Sequence, residues 1–225
     1  MLSKVNKIIV TGGPTREWFD PIRYISNASS GKMGIALADE AFKLNTSTVF
    51  IHGPISEHLL HGKAYKMVSI ESTEDLLNAV LSELEDNSVL IMAAAPADYT
   101  PVNKSAQKIK KTEGELVITM KKTPDILKNV AQYKKSRGFK NLFVVGFAAE
   151  TNDTENYAKG KLQQKDLDMI CLNDVSQSGA GFNVDTNIMT IFTRSGEKFD
   201  LPIKSKNEIA RDILERVSIE LTKRG

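Results

Sequence analysis

The sequence predicts an α/β protein with a Rossmann-like parallel sheet and helices on both of its faces. Two observations favour this class. Short apolar runs rich in β-branched residues alternate with longer segments that have helical periodicity. The apolar runs are also continuous, as expected of strands that are buried on both faces. We therefore expect strands that are each followed by a helix crossing back over the sheet.

The predicted strands are the apolar runs themselves. The first of them, "KIIVTGG", lies close to the N-terminus. The run "SVLIMAAAPADY" starts as a strand and changes into a loop at its alanines. The strands of the parallel sheet are expected at 7–13, 47–54, 66–70, 88–99, 141–151 and 168–173.

The predicted helices lie between and after these runs. The helix after the first strand is amphipathic, with Ile35, Ala38 and Phe42 on one side. A second helix has a clear start, because Ser72 can cap it and acidic residues occupy its first turn. The helices are expected at 31–45, 72–86, 124–138, 154–166 and 206–224.

Two segments break this alternation and predict β-hairpins. Residues 106–122 alternate between apolar and polar side chains around a Thr-Glu-Gly turn, and residues 187–202 do so around a Ser-Gly turn. We expect one domain over 1–225, in which the first hairpin forms a flap at about 103–122.

The composition is that of a globular protein, with 41% hydrophobic and 26% charged residues. A formal net charge of +2 is too small to indicate nucleic acid as the main partner, so local lysines and loop amides must supply any anion binding. No run reaches the roughly 20 apolar residues that a membrane helix needs. The first strand also leaves no room for a signal peptide. We therefore expect a cytoplasmic protein with small-molecule ligands.

Cysteine and zinc chemistry are not expected. Cys171, the single cysteine, lies inside an apolar run and is predicted to be a buried thiol. One cysteine excludes an internal disulfide and a multi-cysteine metal site. None of the three histidines has the spacing of zinc ligands.

Ligand binding is expected at the carboxyl ends of the strands, where parallel sheets of this type bind their ligands. The segments 11–15, 93–99 and 146–151 follow strands and contain small residues that let the backbone approach a ligand. Just before the first long helix, "RYISNASSGKMG" adds small hydroxyl residues at a helix N-terminus, which favours an anion site. The alternative is that Ser29 or Ser30 merely caps this helix.

Two familiar nucleotide motifs fit this sequence poorly. A P-loop requires glycine five residues before its Gly-Lys pair and a hydroxyl directly after it, but Ser26 and Met33 occupy those positions. A short-chain dehydrogenase is an alternative interpretation, since Tyr157 and Lys161 have the Tyr-x-x-x-Lys spacing. However, the first strand is not followed by the glycine pattern that a dinucleotide requires.

Two groups of lysines could bind phosphates. Lys108, Lys110 and Lys111 lie on the predicted flap, which could fold over a polyphosphate; the alternative is a solvated face. Lys161 and Lys165 are one helical turn apart and would present two ammonium groups on one face. The alternative there is an ordinary surface stripe.

Six segments occur in a characteristic order: "VTGGPTREWFDPIRYISNASSGKMG", "AAAPADY", "KIKK", "KKTPDIL", "VVGFAAET" and "NDVSQSGAGFNVD". In this order and spacing, from Val5 to about Thr190, the chain resembles the phosphopantothenoylcysteine synthetases of the bacterial type. In many bacteria such a synthetase is the C-terminal half of a bifunctional flavoprotein of coenzyme A synthesis. The resemblance does not include the flavin-binding half, so we expect a stand-alone synthetase or a domain of the larger protein.

The resemblance implies a ligase that joins 4′-phosphopantothenate to L-cysteine with CTP and Mg²⁺. The carboxylate of phosphopantothenate would attack the α-phosphate of CTP, giving an acyl-cytidylate and pyrophosphate, and the cysteine amine would then displace CMP. The resemblance also implies a homodimer whose sites take residues from both protomers. The segment at about 174–203 is our candidate for its interface. Neither nucleic acid nor a membrane is implied as a partner.

Three alternatives to this function remain open. Within the family, ATP could replace CTP, as in the eukaryotic type. Outside the family, the chain could be an NAD(P)-dependent oxidoreductase of the short-chain type, which the Tyr157 and Lys161 spacing would support. A nucleotide-sensing subunit would bind CTP without turnover.

The resemblance also assigns roles to residues of this chain. Asn27 would orient the acyl group as a hydrogen-bond donor, and Lys108 would bind CTP and stabilise charge during transfer, which makes these two the expected catalytic residues. Asp98 would bind the nucleotide and is the expected Mg²⁺ ligand. Pro96 stands where some members have valine, and it removes one amide donor. The expected substrate-binding residues are Arg23, Asn27, Ser29, Ser30, Gly31 and Ala95. The expected nucleotide-binding residues are Met92, Ala93, Ala94, Asp98, Lys108, Pro124, Asp125, Ile126, Leu127, Phe147, Lys161 and Lys165.

Overall fold

The computed structural model describes residues 2–111, 113–150, 154–174 and 184–224. The strands in chain order are β1 (Lys7–Gly12), β2 (Arg16–Asp20), β3 (Arg23–Ser26), β4 (Ser47–His52), β5 (Lys66–Ser69), β6 (Ser88–Met92), β7 (Tyr99–Pro101), β8 (Met120–Lys122), β9 (Phe143–Glu150), β10 (Met169–Asp174), β11 (Thr186–Thr193) and β12 (Lys198–Ser205). The helices are α1 (Lys32–Phe42), α2 (Thr73–Glu83), α3 (Ile126–Arg137), α4 (Thr154–Gln164) and α5 (Lys206–Arg224). Short 3₁₀ turns cover Leu2–Lys4 and Glu57–Leu59.

One large sheet organises the fold. Its strand order is β12-β11-β10-β9-β6-β1-β4-β5. The strands from β10 to β5 run parallel, whereas β11 and β12 are antiparallel additions at one edge. The chain leaves β1 for β4 and β5 and then returns to place β6, β9 and β10 on the other side. The topological switch point therefore lies between β1 and β6, which is where open α/β sheets bind ligands.

Helices cover both faces of this sheet, which confirms the predicted α/β class. Side chains alternate between the two faces along each strand. On β1, Ile8 and Val10 pack on the side of α1 and α5, whereas Ile9 packs on the side of α2, α3 and α4. All three side chains are fully buried. Burial of an aliphatic side chain of this size contributes about 1.5–3 kcal/mol, so the continuous apolar runs stabilise both layers at once.

A contact between two glycines brings α1 close to β1. A Cβ atom on Gly34 would lie 2.7 Å from the Cα atom of Gly12 and 2.9 Å from the carbonyl oxygen of Thr11. Such distances are too short for non-bonded atoms, so this packing requires glycine at position 34. The contact places the start of α1 beside the carboxyl end of β1.

The predicted helix starts are largely confirmed. Ser72 caps α2: its hydroxyl accepts the amide of Asp75 at 3.1 Å, and the Asp75 carboxylate accepts the amide of Ser72 at 2.9 Å. In α1, Ile35 and Ala38 are buried as predicted. The prediction for Phe42 was wrong, because this last residue of α1 is 43% exposed.

A hairpin that the sequence patterns did not reveal precedes α1. Strands β2 and β3 pair with each other in an antiparallel ribbon outside the large sheet, and we call residues 16–26 the arm. The rings of Trp18 and Tyr24 pack edge to face across this ribbon, with centroids 4.8 Å apart. The arm exposes part of its apolar surface, since Ile22 at its turn is 54% exposed.

The flap contains much less strand than predicted. Its last residues, in β8, pair with β7 in an antiparallel ribbon. Between these strands, the described part of residues 102–119 forms no regular strand. Leu116 and Val117 are 53% and 82% exposed, so the alternation of apolar residues there has no buried face to stabilise it. The inserted hairpin is therefore confirmed at its base, where β7 and β8 pair, but its strands are shorter than the sequence pattern predicted.

The second predicted hairpin is confirmed as β11 and β12, which turn at Ser195 and Gly196 and extend the sheet beyond β10. Cys171 on β10 is fully buried, and burial raises the pKa of its thiol above the usual range. Within the predicted dimerisation segment, residues 175–183 lie outside the described part of the chain. Thr151, at the end of one predicted loop, and the Tyr157 side chain lie outside it too.

Candidate active site

A cavity of about 980 Å³ opens beside the switch point, at the carboxyl ends of β6, β9 and β10 and the N-termini of α1 and α3. Loops from distant parts of the chain form its walls. The predicted site residues that line it are Asn27, Ser29, Ser30, Gly31, Met92, Ala93, Ala94, Ala95, Asp98, Pro124, Asp125, Ile126, Leu127, Phe147, Lys161 and Lys165.

The N-terminus of α1 forms one wall. Gly31 is the N-cap residue, and its φ of 76° is a left-handed conformation that favours glycine. The N-cap position is thus taken by Gly31 and not by Ser29 or Ser30, and glycine has no side chain with which to cap the helix. Instead, the Ser29 hydroxyl accepts the amide of Gly31 at 3.4 Å. An N-cap residue without a side chain suits an anion site, because first-turn amides can then be bound by a ligand.

Asn27 connects this wall to the loop that follows β6. Its side-chain nitrogen donates to the carbonyl oxygens of Ala95 at 3.2 Å and Pro96 at 2.9 Å. Both donors of the carboxamide are used by these contacts, and its oxygen is an acceptor. To act as a donor toward a ligand, Asn27 must therefore exchange one of the two carbonyl contacts.

The loop after β6 is held by buried threonines. The hydroxyl of Thr11 accepts the amide of Ala94 at 3.1 Å, and that of Thr15 accepts the amide of Ala97 at 2.9 Å. Both threonines are fully buried. These side chains supplement the backbone bridge there, in which the amide of Ala95 donates to the carbonyl oxygen of Gly13 at 2.9 Å. The small residues of the loop are therefore fixed at the cavity wall.

The N-terminus of α3 carries an ion pair into the cavity. Asp125 caps α3 by accepting the amide of Lys128 at 3.1 Å, and the Lys165 ammonium pairs with the same carboxylate. Partial burial alone would raise the pKa of Asp125. The hydrogen bonds and charges of Lys165 and Lys128 outweigh it, so the pKa lies below its usual range. Lys161 on α4, four residues before Lys165, lines the cavity as well.

Two predicted ligands, Arg23 and Lys108, lie within the described range 2–111 but do not line this cavity. Arg23 sits on the arm, where its guanidinium binds Asp20 and donates to the carbonyl oxygen of Ile109 at 2.8 Å. The amide of Ile109 in turn donates to Asp20 at 3.2 Å. Because Ile109 follows Lys108 in the chain, the lysine segment of the flap is attached to the arm.

The cavity also contains polar residues that the sequence did not identify. They come from the first turn of α1, the ends of β10 and β11, and the first turn of α5. Lys32 carried a possible signal, because it belongs to the Gly-Lys pair that was compared with a P-loop. Lys32, Asn173, Asn187 and Lys206 are among these additional residues.

The described residues contain no group of three or more histidine, cysteine, aspartate or glutamate side chains that could hold a metal ion. Asp98 is an exposed carboxylate at the cavity wall. A single carboxylate matches the way Mg²⁺ is often bound, through one or two protein carboxylates together with waters and substrate phosphates. Among the described helices, none has the length and hydropathy to cross a membrane.

Fold and cavity together define a doubly wound α/β protein with a crevice at its switch point that is lined by helix N-termini and lysines. Residues 3–220 match the family described as "DNA/pantothenate metabolism flavoprotein C-terminal domain". The chain belongs to this family.

Relatives at the sequence level carry the name "Coenzyme A biosynthesis bifunctional protein CoaBC". The protein of Bacillus subtilis (strain 168) is 43% identical over 211 residues, which are 94% of this chain and 50% of that protein. The protein of Escherichia coli (strain K12) is 42% identical over 213 residues, 93% of this chain and 51% of that protein. The chain thus spans about half the length of the curated relatives it matches.

Solved structures share the fold. The crystal structure of the C-terminal domain of a CoaBC protein has a TM-score of 0.79 and 36% identity, covering 97% of this chain and 96% of that chain. The DNA/pantothenate metabolism flavoprotein from Streptococcus pneumoniae has a TM-score of 0.77 at 24% identity, covering 95% of this chain and 98% of that chain. At 24% identity, the similarity to the Streptococcus pneumoniae protein shows a shared fold and nothing further.

Proposed function

We propose that this chain is a phosphopantothenate–cysteine ligase domain that uses CTP. The observation that carries the proposal is the junction at Asn27. There, two loops that the family resemblance assigns to ligand binding meet at one cavity wall. The 43% identity to a coenzyme A biosynthesis protein over nearly the whole chain supports the same substrate class.

In the first half-reaction, a carboxylate oxygen of phosphopantothenate bonds to the α-phosphorus of CTP. The bond from that phosphorus to the bridging oxygen breaks, and pyrophosphate leaves. Both reactants are anionic, so the site must offset charge and hold the two in line. The start of α1, whose N-cap is a glycine, and the ammonium groups of Lys161 and Lys165 are suited to this task.

In the second half-reaction, the cysteine amine attacks the acyl carbon and CMP departs. This step needs positioning of the acyl group more than a strong protein base. Asn27 and Ala95 border the same part of the cavity, since they are hydrogen-bonded to each other. We infer that Asn27 exchanges a carbonyl contact for the acyl group as the intermediate forms.

Mg²⁺ is proposed to arrive with the triphosphate, and its chemical contribution would be to offset phosphate charge. Asp98 is the residue that would hold it, because this carboxylate is exposed at the cavity wall. Asp125, the other aspartate of the cavity, is engaged by Lys165 and by the amide of Lys128.

A homodimer is part of this proposal. Arg23 and Lys108 are expected ligands, yet both lie outside the cavity of their own chain. The arm that carries Arg23 also exposes Tyr24 and Ile25, each 40% exposed, and exposed apolar patches mark interaction sites. We infer that the arm and the flap reach the cavity of a second copy. The predicted interface at 174–203 stays a second candidate.

A direct assay tests the proposed reaction. Protein is mixed with 4′-phosphopantothenate, L-cysteine and Mg²⁺, together with CTP or, in a parallel sample, ATP. The expected result is release of pyrophosphate and CMP with CTP, dependent on both other substrates. Turnover with ATP but not with CTP would show that the nucleotide substrate is ATP. Absence of pyrophosphate release with either nucleotide would reject the proposed ligase activity.

A further inference from the structure

A closed ring of hydrogen bonds holds the backbone of Ala97 from behind the cavity wall. The Ala97 amide donates to the hydroxyl of Thr15 at 2.9 Å, and the hydroxyl of Thr73 donates to the Ala97 carbonyl oxygen at 3.2 Å. The two hydroxyl oxygens lie 3.0 Å apart, and both threonines are buried. Because the single hydroxyl hydrogen of Thr73 is used at Ala97, Thr15 is the donor between them. Each hydroxyl in the ring thus donates once and accepts once.

Thr123 holds the same backbone from the side of the flap. Its hydroxyl donates to the carbonyl oxygen of Ala97 at 2.7 Å, and its amide donates to the carbonyl oxygen of Asp98 at 3.0 Å. These two carbonyl groups lie on either side of the Asp98 Cα atom. A residue has only two soft backbone dihedrals, so bonds from one partner to both carbonyls restrict the backbone of Asp98. The direction of the Asp98 side chain therefore depends on Thr123.

The ribbon of β7 and β8 brings these residues together. Tyr99, directly after Asp98, is paired with Lys122, directly before Thr123. The bond between the Thr123 amide and Asp98 extends this antiparallel pairing by one residue toward the cavity. Thr123 is followed directly by the expected nucleotide-binding segment 124–127 at the start of α3. One threonine therefore connects Asp98 to a second wall of the cavity.

Thr123 is poorly suited to bind a phosphate itself, although it lines the cavity. Its hydroxyl hydrogen and its amide hydrogen are both used by backbone carbonyls. What remains is an acceptor oxygen, and a phosphate anion requires donors. Asp98, by contrast, presents an exposed carboxylate at the cavity wall. An effect of Thr123 on the nucleotide must therefore pass through Asp98.

We propose that Thr123 is a positioning residue that orients Asp98 toward the nucleotide. This inference rests on the proposed function and deepens it by naming the residue that sets the direction of an expected nucleotide ligand. Without the Thr123 hydroxyl, the Ala97 carbonyl oxygen keeps its bond from Thr73, so the loop remains attached to the fold. Asp98 gains conformational freedom, and nucleotide binding must then pay the entropy of ordering it.

Equilibrium titration of the full chain with CTP and Mg²⁺, and with ATP in parallel, tests this role. Thr123→Val keeps the branched shape of the side chain and removes the hydroxyl. The affinity for CTP is expected to fall about fivefold, because one hydrogen bond that orders a ligand of the nucleotide is lost. Thr123→Ser keeps the hydroxyl and should bind CTP as the wild type does. In steady-state assays the KM for CTP should rise, whereas the KM for L-cysteine should stay unchanged.

A double-mutant cycle shows whether the effect passes through Asp98. In an Asp98→Ala background, Thr123→Val should change the CTP affinity by less than about twofold, because the side chain that Thr123 orients is already absent. A purely structural role of Thr123 would instead cost the same factor in both backgrounds.

Thr48→Val is the matched control. Its hydroxyl donates to the carbonyl oxygen of Thr46 at 3.0 Å, and Thr48 is not among the described residues that line the cavity, so the CTP affinity should stay at the wild-type level. Thr123→Ala takes the place of Thr123→Val in the cycle if the valine variant does not fold.

The outcomes also separate this role from the proposed reaction. Wild-type CTP affinity in a folded Thr123→Val protein, or an equal loss with and without Asp98, would overturn the positioning role even if the chain ligates its substrates. The expected losses of affinity in a protein that releases no pyrophosphate would support the positioning role and reject the ligase. A wild type that binds neither CTP nor ATP would overturn both.

Discussion

Asn27 connects two walls of the cavity, the segment before α1 and the loop after β6. Its two donors bind the carbonyl oxygens of Ala95 and Pro96, and the loop that contains them is fixed from behind by Thr11 and Thr15. Pro96 takes part through its oxygen, so the amide that proline lacks is not needed for this contact. A change at Asn27 should therefore affect the reacting groups before it affects the fold.

Asn27→Asp is expected to lower kcat by about a hundredfold or more, with a small change in Tm. A carboxylate at this position would face two carbonyl oxygens and two anionic reactants. Separate measurement of pyrophosphate and CMP release shows which half-reaction stalls, because a stalled second step lets the acyl-cytidylate accumulate. Asn78→Asp, on the exposed side of α2, is the matched control and should keep wild-type rates. A wild-type kcat in Asn27→Asp would remove Asn27 from the reaction.

Among the elements, the arm and the flap behave as one unit. Asp20 is buried in the arm and accepts hydrogen bonds from the guanidinium of Arg23 and the amide of Ile109. A second contact joins them, because the amide of Ser105 donates to the carbonyl oxygen of Phe19 at 3.0 Å. The position of the lysine segment is thus set by the arm. Without these contacts, the long irregular part of the flap has little to hold it.

Asp20→Asn is expected to speed trypsin cleavage after Lys108 and Lys110 by about tenfold, since a charged acceptor of the flap is lost and local opening becomes easier. Limited proteolysis with mass spectrometry locates and times the cuts. Asp39→Asn is the matched control: Asp39 pairs with Lys63 at 2.6 Å, away from the flap, so its loss should lower Tm without faster cleavage there. Equal cleavage in Asp20→Asn and wild type would show that the arm does not hold the flap.

The same carboxylate makes stability depend on pH. The hydrogen bond from Arg23 holds the pKa of Asp20 at about 2, below its ordinary 3.8, with burial opposing the shift and backbone amides including that of Ile109 supporting it. A lowered pKa in the folded state means that this stabilisation is complete above the unfolded value and is lost as pH falls toward the folded value.

The Tm of the wild type should therefore drop more steeply than that of Asp20→Asn between about pH 4 and pH 2. Thermal unfolding followed by circular dichroism over this range gives both curves. Parallel curves would mean that Asp20 does not contribute to the acid sensitivity of the fold.

Elements were predictable where burial produced a clear pattern. The inner parallel strands such as β1, β4 and β6 are buried on both faces, so they read as continuous apolar runs, and the capping box of α2 is local in sequence. The arm was not predicted, because β2 and β3 pair with each other outside the large sheet and contain both buried and exposed residues, which gives no clear apolar pattern. The flap was predicted with too much strand, since alternation at Leu116 and Val117 occurs without burial.

At the scale of the whole molecule, the cavity is assembled from segments that lie far apart in the chain. The loops after β6 and before α1 were predictable, because each follows or precedes a recognisable element and matches a family segment. Lys206 was not, because nothing local marks the first residue of the last helix as part of a site. The β11–β12 hairpin returns the chain to the cavity, and only the assembled sheet reveals that path.

A mixture of two inactive variants tests whether a second copy completes each cavity. In a hybrid dimer of Arg23→Ala and Asn27→Asp, one cavity would keep its own Asn27 and receive Arg23 from the partner. Random pairing should then restore about a quarter of wild-type activity, since half of the dimers are hybrid and each has one intact site. Pyrophosphate release after mixing and re-equilibration measures this. If the mixture stays inactive while both variants still dimerise, Arg23 does not act in the partner's cavity and serves only its own protomer.

Helices α1 and α5 lie side by side on one face of the sheet, and each begins at the cavity. If a bound ligand contacts the starts of both helices, occupancy of the cavity and the stability of α5 become thermodynamically linked. A change that destabilises α5 would then weaken ligand binding, and a saturating ligand would slow hydrogen exchange along α5. Hydrogen exchange in α5, a helix that begins at the cavity, would thus report whether substrate is bound.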